Sequence, residues 1–174
     1  MRSFLLSILL ATFCLGCKEE SADAKVGNTD FKVAIDVIVE KDDSFALYYT
    51  TDGTIDFFSR PAIWQELKGS DQQQRIEFVI PGKIIPTQLR FDLGLKPDQP
   101  DVYFKRIAME YNGRSFSAAG MDVFKYVQPD KHQCLADFST GKITANIKDG
   151  KRLTPAIYPN QDALSKEIEK LTKP

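Results

Sequence analysis

From Phe31 the chain alternates, with Phe31, Val33, Ile35, Val37 and Val39 separated by Lys32, Ala34, Asp36, Ile38 and Glu40. A period of two sends every second side chain to the same face, so the spacing predicts a half-buried strand. Phe45, Leu47 and Tyr49 repeat the pattern, and Asp52-Gly53 behind them is a two-residue hairpin signal that predicts a return strand over residues 55–58. Strand-like runs follow at 63–67, 76–80, 89–93, 103–111, 124–127, 134–138 and 143–147, with Asn112-Gly113, Thr140-Gly141 and Asp149-Gly150 as turns between them. Short strands at near-regular spacing, with no helical stretch between them, predict an all-β fold, an antiparallel β-sandwich or barrel over residues 30–158.

Only the end departs from this period. Leu164, Ile168 and Leu171 recur at helical spacing behind Asn160, a residue suited to an N-cap, with Lys166, Glu167, Glu169 and Lys170 on the other side. One short amphipathic helix is expected within residues 159–174, packed against the sheet.

The first residues read differently. Met1-Arg2 gives a positive start, and the apolar run from Phe4 to Leu15 is well short of the roughly 20 residues a spanning helix needs. This is the pattern of a signal-peptide core. The run closes on Cys14-Leu15-Gly16-Cys17, which resembles the bacterial lipoprotein box, although Cys14 stands where leucine is usual. The resemblance implies cleavage after residue 16, acylation of Cys17 and attachment to a membrane by its lipid. Two or three acyl chains anchor far more firmly than one, so no basic patch is needed. Residues 17–29 are short, polar and rich in small side chains, and read as a tether. Lys18 follows Cys17 where the inner-membrane retention signal of enteric bacteria has Asp, and Lys18-Glu19-Glu20 resembles the acidic surface-export tag of lipoproteins in the Bacteroidetes. The location this implies is the outer membrane, with the domain presented outside.

Charge narrows the partners. A composition of 43% hydrophobic and 27% charged residues is that of a globular chain, and 23 basic residues nearly cancel 24 acidic ones. No field of that kind draws a protein onto nucleic acid. With Cys14 lost and Cys17 acylated, Cys134 has no partner for an intramolecular disulfide. Cys134 lies two residues from His132, the only histidine, which raises a Cys/His nucleophile; a small buried hydrophobe is the plainer reading.

Motifs of familiar chemistry are otherwise missing: there is no phosphate loop, dinucleotide fingerprint, Cys/His metal cluster or nucleophile elbow. No residue is assigned a catalytic role, and no metal or cofactor is implied. Asp52-Gly53-Thr54-Ile55-Asp56 offers oxygen ligands but lacks the remaining acids of a calcium loop, which leaves a turn.

Three segments share a further pattern. Phe45-Ala46-Leu47-Tyr48-Tyr49-Thr50-Thr51-Asp52-Gly53, residues 74–81, and Leu89-Arg90-Phe91-Asp92-Leu93-Gly94 together resemble a module of bacterial exported and cell-envelope proteins. Some of those proteins serve polysaccharide assembly. The resemblance spans about residues 31–111 and implies a jelly-roll like that of carbohydrate-binding domains. Ser59-Arg60-Pro61 stands where the module usually has an acidic residue.

With Phe45, Leu47 and Tyr49 inward, Tyr48 faces outward. Trp64 either faces outward beside Glu66 or fills the sandwich core. Arg90 and Asp92 oppose the Leu89-Phe91-Leu93 side and either pair across strands or hold ligand hydroxyls. Exposed Tyr48 and Trp64 would stack the apolar face of a sugar ring, with Arg90 and Asp92 orienting its hydroxyls. The expected function is a lipid-anchored envelope protein with a noncatalytic binding or assembly module and glycan as the ligand class. The alternatives are a glycan-processing enzyme and an adaptor that recognises another envelope protein.

Overall fold

The computed structural model describes residues 30–173. The lipobox, Cys17 and the tether lie outside them. Thirteen strands run β1 (Phe31–Val39), β2 (Asp43–Thr50), β3 (Ala62–Leu67), β4 (Ser70–Ile80), β5 (Gln88–Leu93), β6 (Val102–Tyr111), β7 (Arg114–Ala119), β8 (Val127–Pro129), β9 (Cys134–Asp137), β10 (Lys142–Ala145), β11 (Ile147–Lys148), β12 (Lys151–Arg152) and β13 (Ala156–Pro159). A 3₁₀ turn, Gly120–Lys125, precedes β8, and one helix, α1 (Gln161–Thr172), closes the chain.

Two antiparallel sheets form the sandwich. The first has the order β4-β1-β6-β10-β9, with β7 also on β6, and the second has the order β3-β2-β5-β13-β8. The chain wraps in a jelly-roll-like way. β1 and β2 lie in different sheets, β4 and β3 return alongside them, and β5 and β6 follow on their other flanks. At the corner where β1–β2 and β3–β4 change sheets, Asp42 accepts from Lys68 Nζ (2.6 Å) and Gly69 N (2.9 Å). A Cβ on Gly69 would overlap the Glu40 carbonyl there, so the corner requires glycine.

The alternating residues of β1, β2 and β5 meet in the core as their period predicts. Phe31, Val33, Ile35, Val37, Phe45, Leu47, Leu89, Phe91 and Leu93 are at most 1% exposed. Phe91 bridges the layers, with its ring 6.3 Å from Phe78 on β4 and 6.0 Å from Phe104 on β6. In β6, Asp36 pairs with Arg106 but Val37 pairs with Phe104, so Lys105 is an extra residue, a β-bulge. The bulge lets Phe104 and Ile107, three apart, both face inward. It sits where β6 exchanges its β10 partner for β7.

Two predicted strands are absent. Residues 55–58 belong to a loop, because Asp52 Oδ1 accepts from Thr54 N and Oγ1 (3.1 and 2.8 Å) and Oδ2 binds Arg60 (2.6 Å), closing a local turn instead of a hairpin. These bonds hold the Asp52 carboxyl down at about 2 and leave both of its oxygens occupied within the turn rather than turned out toward a cation. Residues 120–125 wind into the 3₁₀ turn, with only Val127 onward extended. In that turn Phe124 meets Phe138 edge-on at 4.7 Å. Asn112-Gly113 and Asp149-Gly150 turn as the sequence indicates, with positive φ at both positions of each pair.

The helix buries Leu164, Ile168 and Leu171 against β5, β6 and β7. Asn160 is its N-cap residue, yet its side chain donates to the Lys125 carbonyl (3.1 Å), tying the helix start to the 3₁₀ turn. No helix among the described residues is long and apolar enough to cross a membrane.

Candidate functional site

The outer face of the second sheet carries the candidate residues. Pairing aligns Trp64, Ala46, Asp92 and Ala156 in one row across β3, β2, β5 and β13. In the adjacent row Tyr48 lies directly opposite Arg90, and Tyr158 lies opposite Gln128. Alternation thus brings Tyr48, Trp64, Arg90 and Asp92 to one surface, because their strand neighbours Leu47, Phe91 and Leu93 occupy the core.

Trp64 is 45% exposed, which corrects the core placement left open by the sequence. β3 is an edge strand, and its inward positions are taken by Ile63 and Leu67, leaving the indole outside. Tyr48 buttresses the indole edge-on, with centroids 6.4 Å apart at 76°. The Arg90 guanidinium lies between two tyrosines, 5.1 Å from the ring centroids of both Tyr48 and Tyr158. One Tyr48 face is therefore covered, and Trp64 is the open platform. Ser44 and Glu66 at its edge are joined by a 2.6 Å hydrogen bond.

Arg90 and Asp92 pair along one strand, not across strands: Nε donates to Oδ1 at 2.8 Å and the terminal nitrogen to Oδ2 at 2.9 Å. Asp92 is flanked by the fully buried Ala46 and Ala156 and is itself 6% exposed. Burial pushes its carboxyl above the ordinary value, against the charge and hydrogen bonds of Arg90. Burial, followed by the Asp92 charge, likewise raises the Tyr48 phenol. Both Asp92 oxygens are taken by Arg90 and the carboxyl is withdrawn from the surface, so Trp64 is the part of this face most open to solvent.

Beyond Tyr158 the surface opens into a cleft of about 600 Å³ between β8, β13 and the start of α1. Strand β13, which places Tyr158 here, carries no periodic signal of its own. The three residues between Pro155 and Pro159 are too few to display a period. Phe57, from the loop at 51–61, packs edge-on against Tyr158 at 5.8 Å, and Ile55 of the same loop lines the cleft.

The Cys134/His132 pairing does not form a nucleophile. Cys134 is buried, its Sγ is near the carbonyl oxygens of Asp130 (3.5 Å) and Ala156 (3.8 Å), and burial pushes the thiol up to about 11. A nucleophilic cysteine needs the opposite shift. Among the described residues no three His, Cys, Asp or Glu side chains gather as a metal site.

The chain matches no protein-family model, no curated protein and no solved structure.

Proposed function

We propose that this chain is a lipid-anchored protein of the bacterial cell envelope, held at the outer membrane through Cys17, whose β-sandwich is a noncatalytic module binding glycan. The observation carrying the ligand class is the half-exposed Trp64 indole on the sheet's outer face, braced by Tyr48 and neighboured by the Arg90–Asp92 pair. Pyranose rings present an apolar face that packs on such a ring while polar neighbours fix the hydroxyls. The anchor is supported by Leu15-Gly16-Cys17 and by the polar stretch after it.

A glycan-array screen of residues 25–174, repeated with Trp64→Ala, tests the binding reading. The expected result is binding to one group of glycans, lost in the variant. Signals identical in the two proteins would overturn the role of Trp64, and a blank array would remove the ligand class.

A second reading, a glycan-processing enzyme, draws on Asp130 and Asp162, which both line the cleft beside Tyr158. Paired carboxylates are the usual machinery of glycoside hydrolysis. New reducing ends released by the intact protein, and not by Asp130→Asn, would establish it. The adaptor reading draws on Leu135 and Phe138, 64% and 52% exposed at the other sheet's β9 edge.

A further inference from the structure

The cleft and the Trp64 platform are linked through Arg90, whose guanidinium lies between Tyr48, which braces the indole, and Tyr158, which lines the cleft. Tyr158 packs beside Arg90 on its inner side and lines the cleft on its other side. In the order β3-β2-β5-β13-β8, the indole and the cleft stand at opposite edges of the same sheet, four strand spacings apart. At about 4.8 Å per spacing that is roughly 19 Å, several pyranose rings laid end to end.

The cleft has spare polar capacity. Among the described residues, the side chains of Gln128, Lys131, Gln161 and Asp162 line it and make no hydrogen bond or ion pair with other protein groups. Its charges are mixed in sign, and the Arg90 charge is already matched by Asp92. Such a surface offers donors and acceptors to hydroxyl and amide groups without demanding a charged ligand. One wall is built to stay in place: Asp52, Asp56 and Arg60 brace the loop at 51–61 through their mutual bonds, and Phe57 locks it onto Tyr158.

We propose that platform and cleft form one groove for an extended, neutral oligosaccharide, stacked on Trp64 at one end and read by Gln128, Lys131, Gln161 and Asp162 at the other. The inference rests on the glycan reading above and adds the length of the ligand and the residues of its far end. Tyr158 and the Arg90 guanidinium line the middle of the path.

Calorimetric titration of the full chain in detergent micelles tests this, using cello- and chito-oligosaccharides from disaccharide to hexasaccharide. In the series that binds, affinity should climb with length, by roughly tenfold from trisaccharide to hexasaccharide, as added hydrogen bonds are engaged. Lys131→Ala combined with Gln161→Ala should weaken the hexasaccharide roughly fivefold and leave the trisaccharide unchanged, whereas Trp64→Ala should weaken both. Lys131 and Gln161 are exposed, so an unchanged melting temperature confirms that the fold is intact. Equal affinity at every length, or indifference of the hexasaccharide to the cleft variants, overturns the groove while leaving glycan binding at Trp64 standing. Absence of binding by every oligomer overturns both.

Discussion

Arg90 and Asp92, two residues apart on β5, meet at two points on the outer face of a sheet, with side chains only 18% and 8% exposed. Removing one partner of a pair so withdrawn from water leaves the other charge uncompensated, at a cost of about 3–5 kcal/mol. Arg90→Met should therefore destabilise the domain by about 3 kcal/mol or more in urea unfolding. Pairing it with Asp92→Leu should recover most of that loss, since two apolar side chains demand no counter-ion.

The same carboxyl sets a pH signature. Its folded-state pKa is raised above the ordinary 3.8, because burial outweighs the Arg90 charge and hydrogen bonds. A raised folded value means that Asp92 contributes stability in full below about 3.8, and that the contribution is lost as pH rises through the folded value. Wild type should thus gain most over Asp92→Asn near pH 4 and less at pH 7, read from urea midpoints. The reverse trend would show that Arg90 dominates.

Cys134 should behave as an inert core residue. With its thiol pushed up to about 11, iodoacetamide at pH 8 should leave the native protein unlabelled and modify it fully after unfolding. Reductant should not move the melting temperature, since the thiol is free. A fall of several degrees would reveal pairing with a second copy.

Phe91→Ala removes the ring that touches both Phe78 and Phe104, and so opens a void between the sheets. A loss of about 3–5 kcal/mol is expected from calorimetric or denaturant unfolding. A loss below about 1 kcal/mol would mean that the layers close over the gap.

Anchoring is tested separately from the fold. Under the proposed anchor the Cys17 thiol would carry a diacylglyceryl group, so Cys17→Ser should abolish metabolic labelling with a fatty acid; surviving label would refute the lipobox. Proteinase treatment of intact cells should digest residues 30–174 if the domain stands outside the outer membrane. Protection until that membrane is opened would leave the anchor and remove surface exposure.

Legibility in the sequence followed the strength of the local period. β1, β2 and β5 keep large apolar residues at every second position over five residues or more, and the helix repeats Leu164, Ile168 and Leu171, so both were readable without tertiary information. The polar half of β4 from Ser70 to Arg75 and the small-residue strand β7 form because β1 and β6 offer unpaired edges, a cause absent from their own residues. Asp52-Gly53 misled because hairpin and side-chain turn begin with the same dipeptide, and the arginine that decides between them is at position 60. For the site, alternation placed Tyr48, Arg90 and Asp92 on the outer face, and edge position settled Trp64. The cleft was invisible because Tyr158, Gln128 and Gln161 become neighbours only when β13, β8 and the helix assemble.

The bulge at Lys105 gives β6 two phases, much as a frameshift divides a message. Val102 and Phe104 are read inward on one count, and Ile107 and Met109 on the other. Removing Lys105 would join the two counts into one with all four side chains still inward, and would take away the local bend and added twist that the extra residue gives the strand. The extra residue thus shapes the course of the strand rather than its inward face, and its own side chain reaches out to the Thr140 carbonyl (2.7 Å) near the point where β6 changes partner from β10 to β7.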